Sequence, residues 1–182
     1  VVMIAGFAGA GVPNVLIEAL LDAGPRGLTL VSNSATHRLS VTEKLISAGM
    51  VAKVICTAAR GHEPGVLSAF EELWRVGKIE PECVPQGNFS ERIRAGGAGI
   101  PAFYTPVGHG TDLGAGKDVR EFKGRPCVLE EAIIGDLALI RGDVGDRFGN
   151  IHYRYAQRNF SIAMATACTT TVAEVREAID GA

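Results

Sequence analysis

Val1-Val2-Met3-Ile4-Ala5-Gly6-Phe7, then Asn14-Val15-Leu16-Ile17-Glu18-Ala19-Leu20-Leu21-Asp22-Ala23, then Leu28-Thr29-Leu30-Val31-Ser32: these three runs decide the fold. The first and third are short and apolar without alternation, as strands covered on both faces are. The middle run is bracketed by Pro13 and by Gly24-Pro25, the punctuation of a helix. Its apolar residues wrap most of the circumference, which predicts a largely buried helix.

The alternation continues outward. Ser40 and Glu43 have capping-box spacing, and Gly49 can end the helix they open. Residues 52–57 read as a strand. Leu67, Phe70 and Trp74 fall on one helical face closed by Gly77. Pro81 and Pro85 enclose a short strand. Asn88 and Glu91 repeat the capping spacing and open a helix over 89–95. Four strand-helix pairs over residues 1–95 require a parallel sheet with helices laid over it. The fold class is therefore α/β, an open and mostly parallel sheet covered by helices.

The pattern breaks at Ala95-Gly96-Gly97-Ala98-Gly99-Ile100-Pro101. Residues 96–116 form a long glycine-rich loop with no period, a length that is functional or disordered in a small domain. The Phe103-Tyr104 pair argues against disorder. Residues 119–122 and 126–129 flank Lys123-Gly124-Arg125 as a hairpin. Strands are expected at 136–141, 150–153 and 169–175, with a short helix over 162–167. No repeat or linker divides residues 1–182, so one domain is expected. Both ends stop abruptly, which reads as a domain trimmed at each end.

The composition narrows the function classes. With 47% hydrophobic residues, the 182-residue chain can fill a core, so disorder is excluded. Eighteen basic against 20 acidic residues give a net charge of −2, without the basic excess of a nucleic-acid binder. No apolar run reaches the ~18 residues of a membrane span. Cys56, Cys83, Cys127 and Cys168 contain no Cys-x-x-Cys, so zinc-ribbon and thioredoxin readings fail. Cys56 and Cys83 sit in strand contexts and read as inert buried thiols. A reducing cytoplasm fits such free cysteines.

Chemistry is expected where strands end. Gly6-Phe7-Ala8-Gly9-Ala10-Gly11-Val12-Pro13 follows a strand and opens a helix. It is either an anion cradle or a tight packing turn; it matches neither a dinucleotide fingerprint nor a P-loop. Asn33 closes the second strand and Gln86 follows the fourth. In an open parallel sheet those ends line the ligand crevice. Two amides there can donate to a carbonyl or carboxylate oxygen, as an oxyanion stabiliser must, or can merely cap loops. His37, His62, His109 and His152 show no ligand spacing, so no metal site is expected. No Gly-x-Ser-x-Gly occurs. Glu130 and Glu131 read as a solvated strand edge rather than a general-base pair. A crevice with amides and no nucleophile either only binds or takes its nucleophile from another chain.

Several stretches together resemble the A-type half of family I CoA-transferases. They are Ala5 to Pro13, the long run from Val84-Pro85-Gln86-Gly87-Asn88 through Phe103-Tyr104-Thr105-Pro106, Gly108-His109-Gly110-Thr111, Asp136 to Arg141, Asp146-Arg147-Phe148-Gly149-Asn150 and Arg158-Asn159-Phe160. The resemblance implies an enzyme of CoA transfer between an acyl-CoA, such as succinyl-CoA, and a 3-oxoacid such as 3-oxoadipate or acetoacetate. It implies a ping-pong cycle through a glutamyl-CoA thioester. The glutamate lies in a Glu-Asn-Gly motif of a B subunit, in an α2β2 assembly, and this chain has no such motif. Coenzyme A enters as co-substrate, with no tightly bound cofactor. By position, Asn33 and Gln86 match the family's catalytic amides. Gly9, Gly11 and the Gly96-Gly97-Ala98-Gly99 loop would lie near them as substrate contacts. Arg60 resembles the 3-oxoadipate-using members, whose second carboxylate could pair with a guanidinium; it equally reads as a surface arginine. Ser34 and His37-Arg38-Leu39-Ser40 depart from the family's usual continuation. A binding module that kept the fold and lost catalysis is the competing expectation. A phosphosugar isomerase would need an acid-base pair that the sequence does not offer.

Overall fold

Alternate side chains of one strand sort into two separate cores. In the computed structural model, which describes residues 1–36, 41–59 and 65–181, β1 (Val2–Ile4) sends Val2 and Ile4 to one face of a sheet and Met3 to the other. Beside it run β2 (Leu28–Ser32), β3 (Val51–Cys56) and β4 (Glu80–Cys83). On its other side lie β8 (Gly135–Asp146) and β10 (Cys168–Ile179), so the order is β10-β8-β1-β2-β3-β4. All of these pairs are parallel. Among the described residues only β9 (Ile151–His152), folded back on β8, runs antiparallel in this sheet. Leu30 and Val54 join Val2 and Ile4 on one face, and Val31 and Ile55 join Met3 on the other. Burial on both faces explains why β1, β2 and β3 read as apolar runs.

Helices α1 (Asn14–Ala23), α2 (Thr42–Ser47) and α3 (Ala69–Arg75) cover the first face and contribute Ile17, Leu45, Ile46 and Phe70 to the core. Helices α4 (Gln86–Gly97) and α5 (Ser161–Ala167) cover the second with Phe89, Ile93 and Met164. Phe89 meets Phe160 edge to face at 5.3 Å. A separate antiparallel sheet has β7 (Arg125–Glu131) between β5 (Ala102–Thr105) and β6 (Val119–Phe122). Its hairpin turns on Lys123 and Gly124, at φ 53° and 77°, a geometry that favours glycine in the second place.

Several expectations need correction. Helix α1 is not largely buried: only Ile17 is fully enclosed and Val15 is 67% exposed, because the sheet meets only one of its sides. Trp74 lies outside the core, 54% exposed and stacked on buried Phe70. Leu67 precedes the helix, whose true cap is a Ser68–Glu71 box. Asn88 and Glu91 form no box, since α4 starts at Gln86 with no side-chain cap. Residues 96–116 are not one loop. They hold the last residues of α4, strand β5 and a 3-10 turn at Asp112–Gly114. β5 is only four residues long and pairs with distant Val128–Glu131, so no local pattern announces it. The Ser40 cap lies outside the described residues.

Candidate functional site

The carboxyl ends of β2, β3 and β4 bring Asn33, Thr57 and Gln86 together. Gln86 Nε2 donates to Asn33 Oδ1 at 2.8 Å. The Thr57 hydroxyl donates to the same region, 2.9 Å from the Asn33 carbonyl and 3.1 Å from Oδ1. The Thr57 backbone N–H also reaches the Asn33 carbonyl, at 3.0 Å. Asn33 is thus held by its oxygens, the side-chain Oδ1 and the backbone carbonyl. Gln86 is exposed and is the first residue of a twelve-residue helix whose N-terminus carries no side-chain cap. Such an end presents backbone N–H groups and a partial positive charge. A bonded pair of side-chain amides and a helix start therefore lie together at this edge of the sheet.

The glycine turn after β1 forms the facing wall. Phe7 and Ala10 bond each other through both backbone groups, with Ala8 at φ 47° and Gly9 at φ 87° between them. Ala8, Gly9, Gly6 and Val12 share with Asn33 a cleft of about 30 Å³, room for about one water molecule. The Asn159 side chain fixes this turn. Its Oδ1 accepts from Gly6 N at 3.1 Å and its Nδ2 donates to the Ala10 carbonyl at 3.0 Å. Sequence reasoning gave Asn159 and Thr57 no role. The contact of Asn159 with Ala10 spans 149 positions, and no local spacing encodes it.

The other sequence candidates have different surroundings. Gly11 is in tight contact with the Gln157 carbonyl, which a β-carbon there would meet at 2.5 Å. The Gly96-Gly97-Ala98-Gly99 stretch does not lie near the amides. It ends α4, and ten residues of helix separate Gly96 from Gln86 by about 15 Å. A β-carbon on Gly96 would sit 2.3 Å from the Ile133 carbonyl, and one on Gly97 2.3 Å from Thr166 Oγ1, so both are packing positions. Arg60, His37 and His62 lie outside the described residues. Glu130 is no solvated edge: it is 2% exposed and accepts from Lys117 Nζ at 2.6 Å. Cys83 is exposed, not buried, and Cys56 is its register partner on β3. Burial, with the Cys83 thiol alongside, pushes the Cys56 thiol up to about 12. It stays protonated and is no nucleophile at neutral pH. Among the described residues no group of three or more His, Cys, Asp or Glu could hold a metal ion. Among them, too, no helix is long and apolar enough to cross a membrane.

An open parallel sheet that gathers amides and a glycine turn at its carboxyl edge defines an α/β protein with its ligand at the strand ends. The Coenzyme A transferase family model matches residues 1–181. The chain belongs to the Coenzyme A transferase family. It is 46% identical over 179 residues to the A-type chain of the 3-oxoadipate CoA-transferase of Pseudomonas putida, covering 98% of this chain and 76% of that one. It is 41% identical over 177 residues to the A-type chain of the succinyl-CoA:3-ketoacid coenzyme A transferase of Xanthomonas campestris pv. campestris, covering 97% and 71%. Among solved structures, the fold matches the decarboxylase AibA/AibB at TM-score 0.82 and 21% identity, over 100% of this chain and 70% of that one. It matches glutaconate coenzyme A-transferase from Acidaminococcus fermentans at TM-score 0.79 and 18% identity, over 98% and 62%. That a decarboxylase shares the architecture shows that the fold alone does not choose the reaction.

Proposed function

We propose that this chain is the A-type half of a heteromeric CoA-transferase. It moves coenzyme A between an acyl-CoA, succinyl-CoA in the first instance, and a 3-oxoacid of the 3-oxoadipate or acetoacetate kind. The names of its relatives support the substrates and the division into two kinds of chain. The observation that carries the reading is the Gln86–Asn33 bond, which joins two amides at the mouth of an uncapped helix. A partner B subunit brings a glutamate that attacks the acyl-CoA carbonyl. The carbonyl oxygen becomes an anion, the thiolate of coenzyme A departs, and an acyl-glutamyl anhydride remains. Coenzyme A then returns to the glutamyl carbonyl and releases the carboxylate. The resulting thioester passes coenzyme A to the 3-oxoacid by the reverse sequence. Each addition creates an oxyanion, and oriented donors that meet it act without rearranging. Asn33 Nδ2 is assigned to that oxygen. Gln86 and the start of α4 are assigned to the carboxylate or acyl oxygens, with Gly9 in the facing wall. Arg60 is assigned to the second carboxylate of 3-oxoadipate. The pair assembles as α2β2 in the cytoplasm, and residues 1–182 act as one domain.

The test is reconstitution with the B-type chain. Gln86→Ala and Asn33→Ala are each expected to lower kcat about 100-fold or more, the scale set by loss of one oxyanion donor. The CoA adduct is expected on the partner by mass analysis. Rates within threefold of wild type, or an adduct on an acidic residue of this chain, would overturn the reading. Arg60→Ala, compared on 3-oxoadipate and acetoacetate, is expected to slow only the former; equal losses remove the carboxylate assignment.

A further inference from the structure

Asn88 lies two residues beyond Gln86, in the same first turn of α4, and is 3% exposed. Its side chain does not cap the helix. Nδ2 donates outward, to Glu130 Oε1 at 3.0 Å and to the Val107 carbonyl at 3.1 Å. Both hydrogens of the amide are thereby used. Glu130 belongs to β7 of the antiparallel sheet, where its carboxylate also takes Lys117 Nζ at 2.6 Å and lies 3.8 Å from Arg92 Nε. Val107 belongs to the turn that carries His109, itself closed by bonds from His109 N to the Pro106 carbonyl and from the Thr111 hydroxyl to the Gly108 carbonyl. The start of a helix is ordinarily fixed by its own capping side chain. Here Pro85 occupies the N-cap with no side-chain bond, and Asn88 ties the first turn from outside to Glu130 and Val107. A carboxylate buried as deeply as Glu130 is costly unless fully paired, and a satisfied polar network of this kind specifies one arrangement of the parts it joins.

We propose that Asn88, held by Glu130 and Lys117, is a positioning residue for Gln86: it sets the angle at which the first turn of α4 presents that amide to the reacting oxygens. Among the described residues its hydrogen bonds lie away from the Asn33–Gln86 pair, so its effect on the reaction is through Gln86. The inference rests on the reading of Gln86 given above, and a double-variant cycle separates the two. Wild type, Asn88→Ala, Gln86→Ala and the double variant are compared in the reconstituted complex with its B-type partner. Asn88→Ala is expected to lower kcat about tenfold with the KM for acyl-CoA within twofold, because a misplacement of about 1 Å costs up to 100-fold. On the Gln86→Ala background the same change is expected to cost less than about twofold, since the group being positioned is gone. A full tenfold loss on both backgrounds would mean that Asn88 supports only the fold, and would overturn the inference while leaving Gln86 in place. A Gln86→Ala enzyme within threefold of wild type would remove the underlying reading and this inference with it. If Asn88→Ala fails to assemble, Glu130→Gln decides by the same cycle, because it keeps the shape and the acceptor but removes the charge that gathers Lys117. An unchanged kcat in Glu130→Gln would likewise overturn the proposal.

Discussion

At the scale of single residues, the candidate site depends on which atoms are already engaged. Asn33 Oδ1 is occupied by Gln86 and Thr57, and this fixes the orientation of its side-chain amide. Thr57→Val keeps the volume and removes the hydroxyl. It is expected to lower kcat about three- to tenfold, the worth of one net hydrogen bond, with little change in melting temperature. An unchanged rate would show that Thr57 does not orient Asn33. The cysteines give a second check. At pH 8 an alkylating reagent is expected to label exposed Cys83 quickly and buried Cys56 hardly at all, read peptide by peptide by mass. Equal labelling would mean that the end of β3 opens readily. The Cys56 thiol rises from an ordinary 9.0 to about 12 on folding. The folded chain holds that proton more tightly, so its contribution to stability is whole below about pH 9 and declines as pH rises toward 12. Asn33 and Gln86 were legible as strand-end amides, but their mutual bond across 53 positions was not. Thr57 and Asn159 stayed invisible because their roles exist only across such distances.

At the scale of elements, the sequence was most readable where the two cores impose a pattern. The strands and the helix order of the parallel half were foreseen: β1, β2 and β3 are apolar runs between the two cores, and α1 to α4 each have glycine or proline at or near an end. Boundaries were lost where tertiary contacts overrule local signals: Asn88 has capping spacing, yet bonds Glu130 instead. The glycines of α4 show the same rule. Gly96 reads as a loop residue and is a contact point, with the Ile133 carbonyl 2.3 Å from where a β-carbon would stand. Gly87, on the same helix, faces open space. Gly96→Ala is expected to destabilise by about 1–3 kcal/mol through overpacking. Gly87→Ala should instead stabilise by about 0.4–1 kcal/mol, because it restricts only the unfolded chain. Thermal unfolding of the two variants measures the contrast. Shifts of the same sign would mean that α4 can move away from Ile133.

At the scale of the whole molecule, a run of ion pairs and hydrogen bonds links two sheets of different kinds. Lys53 of β3 pairs with Glu80 and Glu82 of β4, each at 2.9 Å. Glu82 pairs onward with Arg92 of α4 at 2.7 Å. Arg92 Nε donates to the Glu131 carbonyl of β7 at 2.6 Å. The chain of contacts thus runs from the parallel sheet, through α4, to the antiparallel one. Burial works to raise the Glu82 pKa, but the hydrogen bonds from Lys53 and Arg92 outweigh it and hold the carboxyl below its usual 4.5. A carboxylate depressed in this way contributes stability above its unfolded pKa and loses it as pH falls through the folded value. As pH falls through the folded Glu82 value, below 4.5, Arg92 and Lys53 lose their shared partner. The tie between the sheets should weaken before the strands that lie between two apolar cores. Hydrogen exchange carried from pH 7 down to about 3.5, corrected for intrinsic rates, is expected to show β5, β7 and the middle of α4 losing protection first. β1, β2 and β8 should hold longer. Glu82→Gln should bring the same early exchange to neutral pH, since the neutral amide cannot hold two cations. Protection lost uniformly along the chain, or first in β1 and β8, would show that the two sheets are joined by their apolar contacts and that the charged tie contributes little.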